Sequence, residues 1–157
     1  MNNRYFSAVF LGGLVAGALD ITFAISFAAY NGHPPVRLLQ IVASGLFGNA
    51  ALTGGLGMAA WGLALHFFMS LLWAGIFLAL ALRLPALVRS PLASGIAFGA
   101  IVFLAMRLIV LPLSAFPFPV AFKLVATILD LLSHTLLFGI PIAFASRWAL
   151  APAPQPA

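Results

Sequence analysis

The sequence predicts an all-α membrane protein, a four-helix transmembrane bundle with a short interfacial helix between the first and second spans. Three observations predict it. Hydrophobic residues fill 64% of the 157 positions and charged residues only 6%, with a mean hydropathy of +1.20. A soluble domain carries about 25% charged residues, and a body this small has no interior able to hide so much apolar surface. The apolar residues gather into four runs, each reaching the ~20 residues that cross a hydrocarbon core. Arg4, Arg37, Arg83, Arg89, Lys123 and Arg147 stand singly near the edges of those runs, where cations flank membrane helices.

The first span is expected over 5–30. A charged start, "MNNRYF", followed by "LVAGAL", resembles a signal peptide, but the apolar run continues through "ITFAISFAAY". Signal cores run 7–15 residues, so a retained helix is expected. The remaining spans are expected over 57–82, 92–113 and 120–146, which makes residues 1–148 a single transmembrane domain. Between the first two spans, Pro34 and Pro35 suit a first helical turn. Val36, Leu39, Val42 and Leu46 then recur at helical spacing opposite Arg37, Gln40 and Ser44. That pattern predicts an amphipathic helix over 35–47 lying in the interface; a re-entrant segment would need protein cover for its backbone. Residues 149–157 end in "APAPQPA", a Pro/Ala-rich tail expected to be extended and disordered.

With four spans, Arg4, Arg83, Arg89 and Arg147 fall on one side and Arg37 and Lys123 on the other. The excess places both termini in the cytoplasm of a bacterial inner membrane. A net charge of +5 and a pI near 11.4 would suggest nucleic acid in a soluble protein, but no basic patch with interleaved aromatics exists. The chain has no cysteine, which removes disulfides, thiolate metal sites and cysteine nucleophiles. The expected surroundings are the lipid bilayer, with a homo-oligomer or another membrane protein as candidate partner.

The rare ionisable residues carry most of the functional information. Asp20 falls inside the first span, His66 inside the second, Arg107 inside the third, and Asp130 with His134 inside the fourth. A charged Asp or Arg at a helix centre costs about 2.5–3.5 kcal/mol on insertion scales, so these side chains are expected to turn inward. At 1.5 Å per residue, Asp20 and Arg107 lie about 20 Å from the cytoplasmic starts of their helices. His66, Asp130 and His134 lie about 12, about 15 and about 21 Å from the opposite side. Antiparallel helices therefore focus them into one polar layer. Lys123, Thr127, Asp130 and His134 follow i, i+4, i+7, i+11, a single stripe. Gly13 and Gly17 in "GLVAG", and Gly95 and Gly99 in "GIAFG", form GxxxG patterns suited to close helix packing.

Two roles fit such a layer. It can act only as glue, with Arg107 pairing Asp20 or Asp130 and the histidines bonding between helices. Alternatively, Arg107 balances one carboxylate while the remaining Asp and a histidine exchange a proton. A b-type haem between His66 and His134 is a third reading, strained by the difference of about 9 Å in their depths. No HExxH metal motif and no nucleophile elbow is present, so no enzymatic activity, metal or cofactor is expected.

From the second span onward, three stretches stand out: "GLGMAAWGLALHFFMSLLWAGIF", "SGIAFGAIVFLAMRLIVLPLSAFP" and "LLSHTLLFGIPIAF". They place a histidine early in one span, a Pro-containing corner after the next, and a second histidine in the last. In these features the chain resembles the YagU-like group of uncharacterised bacterial inner-membrane proteins. The resemblance covers about half the chain and implies a polytopic membrane protein with His66 and His134 at recurring positions. It implies no catalytic activity. The expectation is proton- or small-solute-linked transport, with a scaffold or accessory subunit as the alternative.

Overall fold

A computed structural model describes residues 3–152. Every regular element among them is helical. Five helices are long and apolar enough to cross a membrane: Asn3–Tyr30 (α1), Pro35–Thr53, Gly55–Arg83 (α3), Pro91–Leu113 (α5) and Leu124–Leu150 (α6). Within the second, Pro35–Phe47 (α2) is α-helical and Gly48–Thr53 is a 3-10 turn. A single short turn, Ala86–Arg89 (α4), links α3 to α5. Leu11, Val15, Trp61, Phe68, Ile101, Leu104 and Phe144 turn outward and are exposed. The chain is a helical membrane protein, and those side chains form part of its apolar outer surface.

Glycine sets how closely the helices approach. A Cβ at Gly13 would lie 2.9 Å from Leu71, and one at Gly17 would lie 2.9 Å from the Ser70 hydroxyl. That contact lets α3 reach the backbone of α1: Ser70 Oγ donates to Gly13 O at 2.6 Å, and His66 Nε2 bonds Gly17 O at 2.9 Å. On the opposite side of the bundle, a Cβ at Gly95 would meet the backbone of Gly139 and Ile140, and one at Gly99 that of His134 and Thr135. All four glycines expected to pack helices do so. The apolar core joins Ala16, Phe77, Phe98, Val102, Phe138 and Ile142 from four helices.

Two prolines reshape the helices beside the polar residues. Pro112 and Pro141 have no N–H for the normal i−4 carbonyl, and their rings crowd it. The turns before them widen into π-helix, at Met106–Val110 in α5 and Ser133–Gly139 in α6. In the first, Leu111 N–H bonds Met106 O, five residues back. These two segments contain Arg107 and His134.

Three local differences from the sequence expectation have simple causes. The last helix starts at Leu124 rather than 120, because Pro117 and Pro119 hold the preceding chain extended. It continues to Leu150, so Ala149 and Leu150 of the expected tail complete its final turn; residues 153–157 of that tail lie outside the described residues. The polar side of α2 is turned inward: Gln40 and Ser44 are buried while Leu46 is exposed. Gly48, at φ +58°, ends α2 and starts the return. Arg37 Nη1 then donates to Leu52 O at 2.9 Å and Gln40 Nε2 to Gly55 O at 3.1 Å, tying α2 to the turn that follows it and to the start of α3. Gln40→Ala is expected to cost about 1 kcal/mol, read as a lower thermal midpoint in detergent.

The Arg4 guanidinium donates to the carbonyl oxygens of Trp148 and Ala151, which closes the start of α1 onto the end of α6.

Candidate functional site

Asp20 comes from α1, Arg107 from α5, and Asp130, Ser133 and His134 from α6. They form one connected cluster. Arg107 Nη2 and Nε both donate to Asp130 Oδ2, at 2.9 and 3.2 Å. Its Nη1 donates to Ala121 O at 2.8 Å, and its guanidinium lies 5.2 and 5.3 Å from the Phe103 and Phe122 ring centres. Because both guanidinium bonds use Oδ2, Asp130 Oδ1 is left for His134 Nδ1, 3.1 Å away. The same Nδ1 lies 2.9 Å from Asp130 O. A carbonyl oxygen only accepts, so Nδ1 carries the hydrogen. His134 Nε2 is therefore the ring position at which a proton is gained or lost.

Asp20 completes the chain of contacts. Ser133 Oγ donates to its Oδ1 at 2.6 Å, and His134 Nδ1 lies 3.8 Å from the same oxygen. Asp20 is the more enclosed acid, with its side chain 13% exposed against 35% for Asp130. Its Oδ2 receives no hydrogen bond from the described residues.

The cluster forms a wall of a cavity of about 480 Å3. The remaining walls are largely apolar, with Met69 from α3, Phe103 and Met106 from α5, and Phe116 beyond it. Helix α2 closes the cavity with Leu38, Ile41, Val42 and Leu46. A neighbouring cavity of about 440 Å3 shares Asp20, Leu38, Arg107 and Asp130, and reaches Asn31, His33 and Lys123 beyond the helix ends. One polar layer thus touches both an apolar chamber and a more polar vestibule.

Of the five residues singled out by sequence, four join the hydrogen-bonded cluster. His66 stands apart on the same cavity wall, its Nε2 donating to Gly17 O. Thr127, on the expected stripe, has its hydroxyl oxygen buried without a partner among the described residues. Ser133 and the covering helix α2 were not singled out. Ser133 directly precedes His134 and points instead toward α1, a placement no single-face count includes. Among the described residues no group of three or more His, Cys, Asp and Glu side chains suits a metal ion. Comparison of the chain with family models, curated proteins and solved structures gives no match.

Proposed function

We propose that the chain is a four-span protein of a bacterial cytoplasmic membrane that moves protons, or small solutes linked to protons, through the Asp20–Ser133–His134–Asp130–Arg107 cluster. One observation carries this: carboxylates from two helices converge on one histidine on the wall of a chamber, beside a second cavity that reaches toward the helix ends. Low-dielectric surroundings make the proton count of such a cluster decisive. Arg107 answers Asp130, so one proton is left to be shared between Asp20 and His134. The role is non-enzymatic.

Topology supports four crossings. The contact of Arg4 with Trp148 and Ala151 brings the start of α1 to the end of α6, which favours an even number of spans. Helix α2 is 13 residues, about 20 Å long, and Arg37 and Gln40 tie it back to the start of α3. These ties favour a segment Pro35–Thr53 that begins and ends on one side and covers the cavity there. The surplus of cations on the terminal side supports cytoplasmic termini, and the YagU-like resemblance points to the same membrane.

The test is proton flux into proteoliposomes containing a pH-sensitive dye. Wild type is expected to conduct, and His134→Gln, which keeps a donor toward Asp130, to lose about 100-fold of that flux, as when one positioned proton carrier is removed. A scaffold role is the second reading, favoured by the fact that the same bonds join α1, α5 and α6. Equal flux in the two proteins, with only a lower melting temperature for the variant, would establish it.

A further inference from the structure

Within the hydrogen-bonded cluster the charges do not cancel, and Lys123, a further cation near it, lines the vestibule but not the chamber. One guanidinium faces two carboxylates, which leaves one negative charge when His134 is neutral. That charge belongs to Asp20: Asp130 has Arg107 at 2.9 Å, whereas Asp20 has a serine hydroxyl and a histidine nitrogen at 3.8 Å. Asp20 also lines both cavities. The titratable groups facing it are His66 from α3, Arg107 from α5, Lys123, Asp130 and His134 from α6 or its start, and His33 across the vestibule. A lone carboxylate in an apolar setting is costly unless a proton or a cation neutralises it.

We infer that the chamber is a binding site for an organic cation, an amine or quaternary group on an apolar body, which pairs with Asp20 in place of the proton held on Asp20 or His134. This rests on the proton-linked reading above and names its solute. The walls fit that chemistry. Phe116 adds an aromatic ring, Met69 and Met106 add adaptable apolar contact, and about 480 Å3 lies within the range of small-molecule sites. A small inorganic cation would need a shell of oxygen ligands, which these walls do not offer. An anion would raise the imbalance rather than remove it. Proton and organic cation each restore neutrality alone, so they exclude each other.

Tetraphenylphosphonium binding to the purified full chain in detergent tests this. Saturable binding is expected at about pH 8 and about 10-fold weaker binding at about pH 5.5, where the competing proton is bound. Asp20→Asn is expected to remove saturable binding and Asp20→Glu to retain it. Wild type alone also decides: at about pH 5.5, adding saturating probe to lightly buffered protein should release up to about one proton per cation bound, as linkage requires. Absence of saturable binding, or binding with no pH dependence and no proton release, overturns the inference. Proton flux in liposomes without the probe reports separately on the relay. Flux without probe binding removes the cation site and leaves proton transport standing; probe binding with proton release but no flux does the reverse.

Discussion

Arg107→Gln is expected to destabilise the protein by about 1–3 kcal/mol, the cost of leaving a partly enclosed carboxylate without its charged hydrogen-bond partner. An ordinary hydrogen bond between membrane helices contributes only about 0.6 kcal/mol on average, so loss of contacts alone would be small. The larger figure arises because Asp130 would keep its charge with His134 as its remaining neighbour. The Ala121 carbonyl and the Phe103 and Phe122 rings lose a partner as well. Combining Arg107→Gln with Asp130→Asn should restore most of the loss, because the stranded charge disappears. Thermal unfolding of the four proteins in one detergent provides the cycle. A double variant no better than Arg107→Gln would mean that packing, not charge, sets the cost.

Gly99→Val should have an effect of similar size for an unrelated reason. A Cβ at Gly99 would overlap the backbone of His134 and Thr135. Overpacking typically costs about 1–3 kcal/mol when side chains can yield, and here the obstacle is main chain. Helices α5 and α6 must separate, which also pulls Arg107 from Asp130. The expected result is loss of the monodisperse species on size exclusion. Gly57→Ala is the matched control: nothing lies within 4 Å of its added methyl, and the helical preference of alanine should stabilise by up to about 1 kcal/mol.

The inward placement of Asp20, Arg107, Asp130 and His134 was legible in the sequence because lipid leaves few other sites for charge. The choice of partner was not. Asp20 and Asp130 lie at similar depths on different helices, and only the packing of α5 on α6 through Gly95, Gly99 and Gly139 decides that Arg107 meets Asp130. The π segments were signposted by Pro112 and Pro141, whose missing N–H groups disturb the turns holding Arg107 and His134. A strict 3.6-residue count across those turns misplaces side chains such as Ser133. The amphipathic pattern of 35–47 marked a helix and its two faces. It carried no information on which face meets protein, because Gln40 and Arg37 can be satisfied by water or, as here, by the carbonyls of Gly55 and Leu52.

The apolar core has an electrical consequence. Ala16, Phe77, Phe98, Val102, Phe138 and Ile142 each lie between the ionisable residue of their helix and the end nearer the chain termini. By helical rise, Asp20, His66, Arg107 and His134 stand about 24–26 Å from that end and about 9–17 Å from the other. Any transmembrane voltage therefore drops mainly across this tightly packed plug. A charge moved from Asp20 past Phe77 and Phe98 would cross the larger part of that voltage, whose full drop is about 2.3 kcal/mol per 100 mV.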